Sequence, residues 1–162
     1  MNAKQAIQAM LDTSDMIVGA YIGDLVDADL MVRAVPGMNH IAWQLGHLLA
    51  AERAFVEMVQ PGSCPPLPTG FEEAHATSAA AVDDPAKFWT REQYQDIWQK
   101  QRVATRAVLE GQSETDLDRA ESSFPNFAPN VGALLGMCGL HAMMHAGQFV
   151  AVRRTLNKPI TI

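Results

Sequence analysis

A chain of 162 residues that is 48% hydrophobic and 19% charged has an ordinary globular balance and enough length to bury one core, so a single domain over residues 1–162 is expected. Its formal charge of −6, with the 12 lysines and arginines scattered, supplies no basic stripe for a polyanion, and nucleic acid is not an expected partner. No apolar run is long enough to span a bilayer, the first residues show no unbroken apolar leader, and Cys64 and Cys138 make no disulfide framework, so a cytoplasmic location without membrane contact is expected.

From residue 3 to about 25, Ile7, Met10, Leu11, Ile17, Val18, Tyr21 and Leu25 repeat with a helical period, which predicts a first helix. The stretches 27–30 and 35–37 break that pattern, and Asn39 stands where an N-cap would open a second helix running from residue 40 to about 59. This helix carries two stripes. Ile41, Leu45, Leu48, Glu52, Phe55 and Val59 are mostly large and apolar, whereas His40, Gln44, His47, Ala51, Ala54 and Met58 begin polar and turn small, leaving room for a neighbouring helix or a ligand.

Between residues 60 and 88, Pro61, Pro65, Pro66, Pro68 and Pro85 with Gly62 and Gly70 exclude long regular structure. A connection of this length is expected to lie across the mouth of a pocket, with one helical turn at 71–75 and an exposed His75. Thr90 and Gln93 form a capping box for a third helix, whose core face reads Tyr94, Ile97, Trp98, Gln101, Thr105 and Val108 and which ends near Glu110. Residues 113–119 read as a short helix, 124–129 as a loop, and Asn130 as the cap of a fourth helix from 131 to about 156. Four long helices with no convincing strand predict an all-α four-helix bundle with a long proline-rich loop between its second and third helices.

The fourth helix holds His141 and His145 at i, i+4, on one face and about 6 Å apart along the axis, so both imidazoles can converge on one ion. Such a pair arises more often from packing or surface chemistry than from a metal site. Here His145 falls on the apolar seam Val131, Leu135, Cys138, Ala142, Phe149, with His141 at its edge, and a buried ring needs polar partners. His47, on the small-residue stripe of the second helix, is the natural third ligand. His40 lies about 10 Å from His47 along the axis and belongs to the helix start. Cys138 reads as inert packing, Trp43 as a core aromatic, and Gln148 either as a partner of the site or as an interior amide bonded to another helix. The motif is His-Ala-Met-Met-His, with no glutamate beside the ligands, so a zincin protease is excluded.

The stretches Pro36-Gly37-Met38-Asn39-His40-Ile41-Ala42-Trp43-Gln44-Leu45-Gly46-His47-Leu48 and His141-Ala142-Met143-Met144-His145-Ala146-Gly147-Gln148 resemble the two signatures of the DinB-like (YfiT-like) four-helix-bundle family. The resemblance follows helix order and spacing over nearly the whole chain. It implies a divalent metal on His47, His141 and His145 with water completing the shell, and zinc and nickel suit three neutral imidazoles alike. It also implies a homodimer through helix faces and a metal-dependent enzyme on small molecules, a hydrolase or a transferase using a low-molecular-weight thiol. The general acid or base is not visible in the sequence, although Glu72 or Glu73 could close over the site from the loop. That gap keeps open the alternative of a metal-binding or structural module without turnover.

Overall fold

The computed structural model describes residues 1–160. The chain is mostly helical, and four long helices carry it: α1 (Ala3–Ile22), α3 (Ile41–Val59), α5 (Arg91–Gly111) and α7 (Val131–Thr155). Short helices α2 (Asp27–Leu30), α4 (Phe71–Ala74) and α6 (Glu114–Asp118) fill the connections. Helix α1 starts at a capping box between Asn2 and Gln5 and buries Ile7, Leu11, Ser14, Val18 and Tyr21, one face at helical spacing. Helix α5 starts at the expected box of Thr90 and Gln93, and α7 at Asn130, whose side chain accepts from the Ala133 amide.

The start of α3 departs from expectation. His40, not Asn39, is the N-cap: its Nδ1 accepts from the Trp43 amide at 3.0 Å. Burial lowers the pKa of the His40 ring and keeps it neutral, so a ring nitrogen can take the place of the usual side-chain oxygen.

A second departure is a short antiparallel hairpin where only a loop was expected. Strand β1 (Ala120–Phe124) pairs with β2 (Ala128–Asn130), and the Pro-Asn-Phe stretch forms its turn. No alternating apolar pattern announces these strands. They are short, and packing sustains them: Phe124 meets Phe55 edge-on at 5.6 Å and Ala128 is fully buried.

The connection 60–90 contains the predicted turn at α4 and two single 3-10 turns, Thr77–Ala79 and Pro85–Lys87. His75 is buried, in contrast to its expected exposure. Its Nδ1 lies 2.7 Å from the Phe71 carbonyl and its Nε2 2.7 Å from the Tyr94 hydroxyl, inside a nest of Phe71, Phe88, Trp89 and Tyr94. The ring fits because residue 46 is glycine: a Cβ there would stand 2.1 Å from the His75 ring. The proline-fixed turns fold the segment back against α3, which composition alone does not reveal.

Helix α1 packs on α7, α7 on α3, α3 on α5, and α5 on α1. The α1–α7 contact is close because a Cβ at Gly139 would lie 2.8 Å from the Met10 backbone. Arg153, fully buried near the end of α7, donates to the Tyr21 carbonyl and to Asp24 at 2.6 Å each and ties that end to the end of α1. Between the two apolar clusters sits a charged one: Arg102 on α5 lies 3.0 Å from Asp15 on α1 and 3.3 Å from Glu52 on α3, and it donates to the Cys138 carbonyl on α7. Among the described residues no helix is long and apolar enough to cross a membrane.

Gly139→Ala is expected to lower unfolding free energy by about 1–3 kcal/mol through overpacking against α1. Gly147→Ala, at a position where an added Cβ meets nothing within 4 Å, is expected to raise it by about 0.5–1 kcal/mol. Urea titration of both variants reads the difference.

Candidate metal centre

Helices α3 and α7 bring His47, His141 and His145 together. The ring centroids of His141 and His145 are 4.8 Å apart, those of His47 and His141 5.2 Å, and those of His47 and His145 5.4 Å. One nitrogen from each ring lies within 4.8 Å of the other two, and all three rings are half-buried. Three ring nitrogens this close could hold one ion between them.

Burial pushes the pKa of His141 and His145 down to about 4 and also lowers that of His47; the neighbouring histidines push His141 and His145 in the same direction. All three imidazoles are therefore neutral at neutral pH, each with one ring lone pair. The donor set fits a borderline divalent ion such as zinc or nickel.

Each ring is held differently. Asn39 offers a carbonyl, which can only accept, and takes the Gln44 amide N–H at 2.6 Å. The Gln44 oxygen must then accept, and it lies 2.8 Å from Nδ1 of His145. Nδ1 of His145 is thus the protonated nitrogen and Nε2 keeps the lone pair. His47 stacks on Trp43 with centroids 4.8 Å apart and planes 8° from parallel, and the indole N–H donates to the Ala76 carbonyl at 3.1 Å. The His141 ring makes edge contacts with the other two rings and no hydrogen bond among the described residues, so it has the most freedom to rotate.

The other residues singled out from sequence lie elsewhere. His40 caps α3, and its Nε2 lies 3.0 Å from the Val82 carbonyl, which agrees with a role at the helix start. His75 has both nitrogens engaged beneath Gly46. Cys138 is buried and burial pushes its thiol pKa well up, the behaviour of packing rather than of a ligand. Gln148 is exposed, and Gln44 is the amide that serves the site. Its place three residues before His47 on the same stripe put Gln44 near the site, but not against His145 of the other helix.

The expected difference in depth between His141 and His145 is absent. The buried line on α7 runs through Cys138, Ala142, Ala146 and Phe149, which leaves both histidines flanking it. No carboxylate joins the three rings among the described residues. Glu52 accepts from Thr105 at 2.6 Å and faces Arg102, burial raises its pKa, and Glu72 stands 3.9 Å from Arg53.

In comparison with known proteins, the chain matches the DinB superfamily over residues 10–149. No curated protein matches it in sequence. Its fold is similar to that of a conserved protein from Enterococcus faecalis known from a crystal structure, with a TM-score of 0.73 and 16% identity over 98% of this chain and 99% of that one. At such identity the likeness concerns the fold. Because the family match runs through all four long helices and includes every one of the three clustered histidines, the chain belongs to the DinB superfamily.

Proposed function

We propose that this protein holds one divalent ion, zinc or nickel, on His47, His141 and His145 and acts as a metal-dependent enzyme on small molecules, on a four-helix-bundle scaffold. The observation that carries this reading is the convergence of three neutral imidazoles from two helices, with Gln44 setting the tautomer of His145. A bound ion would supply Lewis acidity and lower the pKa of a water or thiol placed on it. The chain's own part is to orient the donors: Trp43 fixes the plane of His47, Gln44 that of His145, and His141 is left to close the set. Hydrolysis or transfer using a low-molecular-weight thiol is the reaction class that such a site serves best. The chain is further taken to form a homodimer through helix faces, a reading that the exposed Leu140 and Met144 on α7 favour and that sedimentation would test.

A second reading, a metal-binding module without turnover, is favoured by one observation. Glu72, one of the two loop carboxylates that could have closed over the site, stands near Arg53, and Glu52, on the other face of its helix, is directed to Thr105 and Arg102. The two readings part in a screen of ester hydrolysis and thiol conjugation with the metal-loaded protein.

Elemental analysis of the purified protein is expected to give one zinc or nickel per chain, and His145→Ala or His47→Ala none, together with loss of any turnover. Full activity in a metal-free variant would overturn the enzyme reading, and an unloaded wild type under excess metal would overturn both.

Gln44→Leu is expected to weaken metal affinity about 10- to 100-fold by removing the acceptor that orients His145, and Trp43→Leu to weaken it through a freed His47. Competition with a chromophoric chelator measures both, and Trp43→Phe, which keeps an aromatic face for His47, should recover part of the loss.

Stability of the metal-free protein should depend on pH with a fixed sign. The folded pKa of His141 and His145 is about 4, below the unfolded value of about 6.5, so the unfolded chain binds protons first as pH falls. The contribution is complete above about pH 6.5 and is lost as pH falls towards 4. The urea midpoint of His141→Gln should fall less steeply than wild type across that window.

A further inference from the structure

Helices α1 and α5 are neighbours, yet they pack less closely than the other adjacent long pairs. A cleft of about 440 Å³ lies between them, a volume typical of small-molecule sites. Val18 and Ile22 on α1 and Trp98 on α5 form its apolar walls, Val103 stands at its rim, and the buried Leu45 on α3 lies at its floor. None of the three clustered histidines lines it.

Two further features mark this cleft. Gly19 sits in the interior of α1, where glycine is less favourable than alanine, and an added Cβ would meet nothing within 4 Å. No close approach of another chain segment accounts for it, in contrast to Gly139. Its effect is to leave one position of the α1 wall, between Val18 and Ile22, without a side chain.

The second feature is Arg102, which lines the cleft, is 3% exposed and lies over the Trp98 ring at 4.7 Å. Its Nη2 donates to the Cys138 carbonyl and its Nε lies at ion-pair distance from Asp15 and Glu52, but neither Nε nor Nη1 makes a hydrogen bond among the described residues. A buried guanidinium N–H without an acceptor is costly. The surrounding charge restricts what that acceptor is. Arg102 and Arg106 face Asp12, Asp15 and Glu52, so carboxylates outnumber guanidiniums and an anionic head group would meet no excess of positive charge.

We propose that the α1–α5 cleft is a ligand site separate from the histidine cluster, taking a small uncharged molecule with an apolar body and a carbonyl acceptor directed to Arg102. The body lies against Trp98, Val18 and Ile22, and the amides of Gln95 and Gln99 border the opening.

The test is a fluorescence titration of the full chain with Nile red, an uncharged apolar dye bearing a carbonyl, and in parallel with anilinonaphthalene sulfonate, an anionic one. Nile red is expected to saturate at one per chain. Gly19→Phe, which fills the cleft, should weaken it about tenfold or more, while Gly19→Ala and His47→Ala leave it within about twofold. Circular dichroism checks that each variant folds. Val103→Trp, at a rim position that is 69% exposed, repeats the block should Gly19→Phe not fold. Non-saturable binding, equal binding to the blocked variants, or tighter binding of the anionic dye overturns the proposal. So does a wild-type oligomer that Gly19→Phe dissociates, which would make the cleft a contact between copies of the chain.

Discussion

The arrangement of the four long helices depends on one buried guanidinium. Arg102 reaches from α5 to Asp15 on α1, Glu52 on α3 and a backbone carbonyl of α7, so a single side chain has a partner on each of the other three. A buried ion pair gains little net free energy, because desolvation offsets the attraction, but stranding one member is costly. Apolar faces tolerate sliding by a turn, whereas this cluster does not, and it therefore penalises arrangements in which any helix shifts its register. Register between α3 and α7 is what brings His47 against His141 and His145.

Around that framework the histidine site is built from α3 twice over. The helix supplies His47 as a donor, and its neighbours Trp43 and Gln44 orient rings on either side of the site. Both supports lead back to backbone carbonyls, of Ala76 in the long connection and of Asn39 just before the helix. The connection 60–90 is thus tied to the site rather than laid loosely over it, and Gly46 is the condition for that, since His75 occupies the space a side chain would need. Partial burial does the electrostatic work, holding the rings neutral without a carboxylate partner.

Much of the helical architecture was legible because each long helix announces itself by period, and two of the four also by their caps. Thr90 with Gln93 and Asn130 act as expected, and the helix ends fall within a few residues of where Gly, Pro and capping residues place them. The hairpin at 120–130 was not legible, since strands this short carry too few residues for alternation to register and derive their support from Phe55 and the buried Ala128. The burial of His75 was hidden for a related reason: composition describes a segment's tendency to form loops, not the surface against which the loop folds.

The sequence by itself determined the helical segments, the stripe that places His47 opposite the pair at His141 and His145, and the family to which the chain belongs, because periodicity and capping are local and a spacing of four residues is a statement about one helix face. Tertiary structure alone decided that Gln44 rather than Gln148 supports the site, that His40 rather than Asn39 caps α3, and that His141 and His145 lie at similar depth. Those outcomes turn on which side chain of a neighbouring segment comes within about 3 Å, a distance fixed by how the helices rotate and approach when the core packs. No single-helix pattern contains it.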